Sequence, residues 1–242
     1  MIEVFAQPIK RSNEEIIYEA PEKSNELFDD LIRAKCDTMD TAWKWAVNRY
    51  KSRDLLGTRD ILAHEDEVQS NGKIFKKFQL GDYRWISYEG AETTADYFGR
   101  GLRSIGLKPK EKICVFADTR NEWFLSAVAC FKHGFPLVTL YTNLGEEAVI
   151  HGVNQTQVTH IITSHDLLPK FKGILQHTPT VKKVVFIEDQ VQSTDTTGYR
   201  EGVDIMPFWS VVSAGKKLET DPEFNPIPPT PCLLYTSPSP RD

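Results

Sequence analysis

Residues 98–141 read FGRGLRSIGLKPKEKICVFADTRNEWFLSAVACFKHGFPLVTLY, and the pattern is helix, strand, helix, strand. Ala91, Ala95, Phe98, Leu102 and Ile105 recur at spacings of four, three, four and three, which places all five on one helical face. Gly106 can take the left-handed conformation that ends such a helix, and Pro109 prevents its resumption. Residues 112–118, KICVFAD, are short and apolar between polar flanks, as a buried strand requires. Thr119 and Glu122 are spaced as a capping box: the hydroxyl accepts from the Glu122 amide and the carboxylate reaches back to the Thr119 amide. Trp123, Phe124, Ala127, Val128 and Phe131 are the predicted inner face of the second helix, Gly134 its stop, and Pro136 the lead into a strand over 137–141.

The alternation continues downstream. A short helix is predicted over 145–153 and a strand over 160–163. Ser164 is the predicted cap of a helix with Leu167, Leu168, Phe171, Ile174 and Leu175 inward, followed by a strand over 183–187. The strands begin near 112, 137, 160 and 183, a unit as long as one strand, one helix and two short loops. Right-handed crossovers then give an α/β fold: a mostly parallel sheet flanked by helices. Residues 206–213 add a further strand and a helical turn.

Upstream, Asp37 or Thr38 caps a helix running to Tyr50, with Met39, Ala42, Ala46, Val47 and Tyr50 inward and Trp43 at the edge. Asn71-Gly72 marks a hairpin, because both residues tolerate positive φ, between strands over 59–68 and 73–80. Gly81-Asp82 is read as another turn, leading into 83–87, and Ser87 caps the helix that follows. The sheet is thus preceded by a helix and a β-hairpin. Residues 1–37 read as an amino-terminal arm. Seven of the fourteen prolines fall in residues 222–242, which excludes a central strand or a long helix there.

At 40% hydrophobic and 26% charged residues the composition is that of ordinary water-soluble chains. The net charge of −5 comes with scattered cations, which argues against a nucleic-acid surface. Cys36, Cys114, Cys130 and Cys232 form no CxxC pair and no metal-ligand spacing. Cys114 and Cys130 read as reduced core residues, which points to the cytosol or the cytosolic face of a membrane. No stretch approaches the ~20 apolar residues of a membrane span.

Four features carry candidate chemistry. Gly99, Gly101 and Gly106 resemble a dinucleotide loop only superficially: they lie within and at the end of a helix, where small residues serve close packing and a C-cap. The histidines do not assemble at metal-ligand spacing. Residues 119–123, TRNEW, follow a strand's carboxyl end, where open parallel sheets place ligands; helix capping with an ion-paired Arg120 explains them as well. Residues 141–145, YTNLG, open a helix whose free amides can hold an anion, or form a plain strand-to-helix turn.

In combination, LGTR at 56–59, WISY at 85–88, the 98–106 helix, TRNEW at 119–123, and PLVTLY at 136–141 followed by LGEEA at 144–148 resemble one family. Over 38–231 the chain is similar to the amino-terminal part of a long-chain fatty-acid–CoA ligase, of the eukaryotic branch with arachidonate-preferring members. The resemblance implies the first subdomain of the large AMP-binding domain of an adenylate-forming enzyme. It implies ATP and Mg2+, a long-chain fatty acid activated as acyl-AMP, transfer to coenzyme A, and no nucleic acid. Full-length relatives are membrane-associated, so the cytosolic face of the endoplasmic reticulum or another organelle is the expected location.

Such enzymes carry a strand ending Tyr-Thr-Ser-Gly-Ser-Thr-Gly, then Pro-Lys-Gly, whose backbone amides approach the ATP phosphates. Here Tyr235, Thr236 and Ser237 align with the opening of that loop, and Pro238 and Pro240 then stand where flexible or amide-donating residues belong. Residues 232–242 are therefore expected to be an aberrant, proline-rich tail of foreign or misread origin, or the end of a short isoform. No catalytic residue is assigned, and the chain by itself is expected to be inactive. The alternative expectation is a non-catalytic interaction module that pairs with a full-length ligase.

Overall fold

The computed structural model describes residues 7–10, 16–19, 23–227 and 229. β1 (Gln7–Lys10) and β2 (Ile16–Glu19) pair antiparallel, and α1 (Lys23–Arg33) follows. α2 (Met39–Tyr50) starts on Thr38, whose hydroxyl accepts from the Thr41 amide while the Thr41 hydroxyl accepts from the Thr38 amide. Trp43 is buried in this helix rather than at its edge, and Met39 is exposed. The reason is tertiary: the Trp43 indole N–H donates to Glu92 at 2.5 Å, and its ring packs on Tyr88 and Phe124.

β3 (Asp54–Val68) and β4 (Ile74–Ser87) form one long antiparallel hairpin closed at Gly72, which has φ +77°. Gly81-Asp82 does not turn the chain. Arg59 pairs with Tyr83 and Ile61 with Leu80, so the two residues are a bulge within β4. α3 (Tyr88–Ser104) begins at Ser87, whose hydroxyl accepts from the Gly90 amide at 3.1 Å. Ala91, Ala95, Phe98 and Leu102 are buried, as their spacing predicts, and Ile105 is half-buried.

β5 (Ile113–Phe116), α4 (Asn121–His133), β6 (Leu137–Thr139), α5 (Glu146–Thr156), β7 (His160–Ser164), α6 (Phe171–Ile174), β8 (Lys183–Ile187), β9 (Asp204–Pro207) and α7 (Phe208–Lys216) complete the fold. Their five strands form an all-parallel sheet in the order β6-β5-β7-β8-β9. The chain crosses from β6 back over β5 to β7, so β5 and β7 flank the topological switch point. Successive strand residues alternate between two buried clusters. Ile113, Val115, Ile162 and Val185 pack against Phe98, Leu102, Leu125, Val128, Phe208 and Val211 of α3, α4 and α7. Cys114, Phe116, Ile161 and Val184 pack against Val149, Val153, Phe171 and Ile174 of α5 and α6. Each sheet face is thereby covered by helices.

The predicted helix after Ser164 is broken: α6 is a single turn between the 3-10 turns Leu168–Lys170 and Leu175–His177. Its inward residues are nonetheless buried as expected. Ser164 belongs to β7 and caps nothing. α4 is buried on more sides than its apolar stripe suggests. Ser126, Lys132 and His133 are buried, and Phe131 is only half-buried. Lys132 pairs with Glu92, and Asp96 sits between Arg100 (2.8 Å) and His133 (3.5 Å). Burial by itself would raise the Asp96 carboxyl; the neighbouring imidazole and guanidinium outweigh it and hold the group at about 2.

The glycines of α3 serve close packing. A Cβ at Gly101 would overlap the Val211 carbonyl oxygen of α7, and one at Gly215 would overlap that of Tyr97. Gly134, at φ +66°, ends α4 as predicted.

Candidate functional site

The carboxyl ends of the parallel strands form the edge where open sheets of this kind bind ligands. Behind β5 and β6 lies a half-open cavity of about 370 Å3, lined by Asp118, Thr119, Trp123, Leu140, Tyr141 and Thr142 among others. The Thr142 hydroxyl donates to Asp118 Oδ1 at 2.6 Å and ties the two strand ends together. Tyr141 stands 81% exposed at the rim, and Trp123 offers the aromatic wall. The cavity therefore presents a carboxylate, hydroxyls and aromatic faces, a set suited to holding a flat, hydrogen-bonding group.

Thr119 and Glu122 do not make the predicted capping box. The N-cap of α4 is Arg120, in extended conformation, with no side-chain cap bond. Glu122 instead accepts from Arg120 Nε at 3.1 Å, and a carboxylate so paired is not free to reach back to Thr119. Arg120 is thus ion-paired, the alternative open in the sequence. Beside it, Glu188 follows β8 and accepts from the Trp209 amide at 3.3 Å. Burial pushes its carboxyl up, and amides of the chain offset part of that shift. Asp189 is lowered: burial raises it, but the amides of Val191 and Gln192, at 2.8 and 2.7 Å, outweigh that effect. The local sequence carried no signal for either acid.

The YTNLG stretch leads to the N-terminus of α5, where Gly145 is the cap and no side chain caps the amides. The first turn carries Glu146 and Glu147, so this positive helix end already has carboxylates beside it. Among the described residues no three His, Cys, Asp or Glu side chains converge as a metal site. Cys114 and Cys130 are free, buried thiols pushed up to about 12 by burial. Tyr235, Thr236 and Ser237, and with them Cys232, lie outside the described residues.

Residues 64–239 match the family described as AMP-binding enzyme, well over half of the chain. The chain belongs to the AMP-binding enzymes. It is 30% identical over 233 residues to "Long chain acyl-CoA synthetase 8" of Arabidopsis thaliana, covering 95% of this chain and 32% of that protein. It is 28% identical over 241 residues to "Long-chain-fatty-acid--CoA ligase 3" of Saccharomyces cerevisiae, covering 86% of this chain and 35% of the relative. The chain thus spans about a third of the length of these curated relatives. Among solved structures, the adenylation domain of a carboxylate reductase from Mycobacterium chelonae superposes with a TM-score of 0.63 at 14% identity, over 88% of this chain and 37% of that one. The adenylation domain from Segniliparus rugosus, solved with AMP and a co-purified carboxylic acid, gives 0.57 at 16% identity. The α/β fold with its parallel sheet is that of the adenylate-forming enzymes. Among the described residues no helix is long and apolar enough to cross a membrane.

Proposed function

We propose that this chain is the opening part of the large domain of a long-chain fatty-acid–CoA ligase. The complete enzyme would activate a long-chain fatty acid with ATP and Mg2+ and pass the acyl group to coenzyme A, at the cytosolic face of a membrane. The observation that carries this reading is the 30% identity to a long chain acyl-CoA synthetase across 95% of the chain. In this reading residues 1–37 are an arm, 38–231 part of the AMP-binding domain, and 232–242 a tail.

The described strand ends do not fit a triphosphate on their own. Arg120 is engaged by Glu122, and the first turn of α5 carries Glu146 and Glu147, whose charge opposes a phosphate at that helix end. In our reading the edge supplies a wall of the site, with Trp123 and Tyr141 beside the ligand. The phosphates need the glycine-rich loop, whose opening aligns with Tyr235, Thr236 and Ser237 before Pro238 and Pro240 interrupt it. The chain by itself therefore should not form acyl-AMP.

The test is fatty-acid-dependent ATP–pyrophosphate exchange, measured with arachidonate. Purified 1–242 is expected at background. A chimera of residues 1–227 with the unmatched carboxyl-terminal part of the Arabidopsis relative is expected above it. Exchange by 1–242 alone defeats the claim of inactivity, and a folded chimera without exchange defeats the ligase reading. A non-catalytic module remains the second reading, favoured by the exposed hairpin face; stoichiometric capture of a full-length ligase by 1–242, with no exchange from the chimera, would support it.

A further inference from the structure

The β3–β4 hairpin has two unlike faces. Following the register through its bulges, Val68, Ile74, Phe78, Leu80, Tyr83 and Trp85 share one face, interrupted at Asp66 and at Arg59, whose guanidinium lies over the Tyr83 ring. Each of the six is between 40% and 70% exposed. The opposite face carries ion pairs, Lys77 with Glu67 and Arg84 with Asp60, each at 2.5 Å, with Phe75 as its exposed aromatic. An antiparallel ribbon with one mainly charged and one mainly apolar face is built to lie with its apolar face against something. Monomers seldom leave contiguous apolar patches of more than a few hundred Å2 open to water.

The base of the hairpin is fixed to the ligand edge of the sheet. Asn121 of α4 donates to the Thr58 hydroxyl. Gln190, after β8, accepts from the Ile61 amide at 2.9 Å and donates to the Arg59 carbonyl at 3.2 Å. Both faces of the parallel sheet are already covered by helices of this chain. About two thirds of the length of the curated relatives, and of the superposed adenylation domain, has no counterpart here.

We propose that the apolar face of β3–β4 is an intramolecular interface of the complete enzyme, covered by polypeptide from the two thirds of the ligase that this chain does not span. The inference rests on the ligase reading above. Charge favours a polypeptide over a lipid surface: residues 54–87 hold six acidic and five basic side chains, where attraction to anionic lipid needs clustered cations. Since the hairpin springs from the cleft's edge, the covering polypeptide would also stand beside the cleft.

The experiment is thiol labelling at Phe78→Cys on the apolar face and Glu65→Cys on the polar one, with Cys36 and, where present, Cys232 changed to serine. Cys114 and Cys130 are buried and serve as silent background. In 1–242 both probes should react with a maleimide at comparable rates. In the chimera Phe78→Cys should slow at least tenfold and Glu65→Cys stay unchanged. Fast labelling of Phe78→Cys in a folded chimera overturns the proposal. Slow labelling without pyrophosphate exchange counts against the ligase reading and leaves the interface standing. Independently of the chimera, 1–242 should sediment as a monomer at micromolar concentration and fail to float with phosphatidylcholine vesicles, neutral or with anionic lipid added. A dimer, or vesicle binding, that Phe78→Glu abolishes would name a second copy or a membrane as the occupant and overturn the proposal.

Discussion

The parallel sheet and the hairpin spend their residues in opposite ways. β5, β7 and β8 are four or five residues long, and their apolar side chains are at most 4% exposed. β3 and β4 are fifteen and fourteen residues long and form a longer ladder; Leu55, Leu56 and Ile86 at its base pack on the core, but the apolar side chains of its outer part, from Leu62 to Leu80, are at 40% exposure and above where they are large. Ladder hydrogen bonds made beside water contribute little net stability, whereas apolar area removed from water contributes about 25 cal/mol per Å2. The short strands are therefore the stable ones, and a two-stranded ribbon is marginal by itself.

The largest test of this contrast is a pair of truncations. Phe98→Ala removes a fully buried ring stacked on Phe208 and should cost about 3–5 kcal/mol in urea unfolding. Phe78→Ala on the hairpin should cost under about 0.5 kcal/mol in this chain. Equal costs would break the comparison.

The next effect is acid-sensitive and belongs to the sheet. His160, at the start of β7, is buried, and burial lowers its pKa from 6.5 to about 4. Below 6.5 the unfolded chain binds a proton that the folded chain refuses, so stability falls as pH drops from 6.5 to 4, by about 3 kcal/mol. His160→Gln should flatten this limb of the pH–stability curve. Asp96 has the usual carboxylate sign: its folded value of about 2 lies below the ordinary 3.8. Its contribution, about 2 kcal/mol, is present above 3.8 and lost as pH falls through 2, and Asp96→Asn should remove that loss. The smallest effect concerns the hairpin base. Gln190→Ala removes two bonds to β3 and should cost about 1 kcal/mol or less while speeding amide exchange at Ile61.

The sheet was legible because its signals are local. The strand starts near 137, 160 and 183, the Ser87 cap, the Gly134 stop and the Gly72 turn each depend on neighbours in sequence. What stayed hidden depends on distant partners. Trp43 is buried because Glu92 accepts its indole N–H, and the polar side of α4 is buried because α3 supplies Glu92 and Asp96. At the site, the loops after β5 and β6 were readable as strand ends. The Arg120–Glu122 pair that replaces the capping box, and the neighbouring Glu188, were not, since the folded sheet alone brings β5 and β8 loops together.

Native-state hydrogen exchange on 1–242 tests most directly the claim that one region is closed and the other waits to be covered. Amides of β5, β7 and β8 should exchange only through global unfolding, and those of residues 62–80 at least a hundredfold faster. Uniform protection across both regions would contradict it.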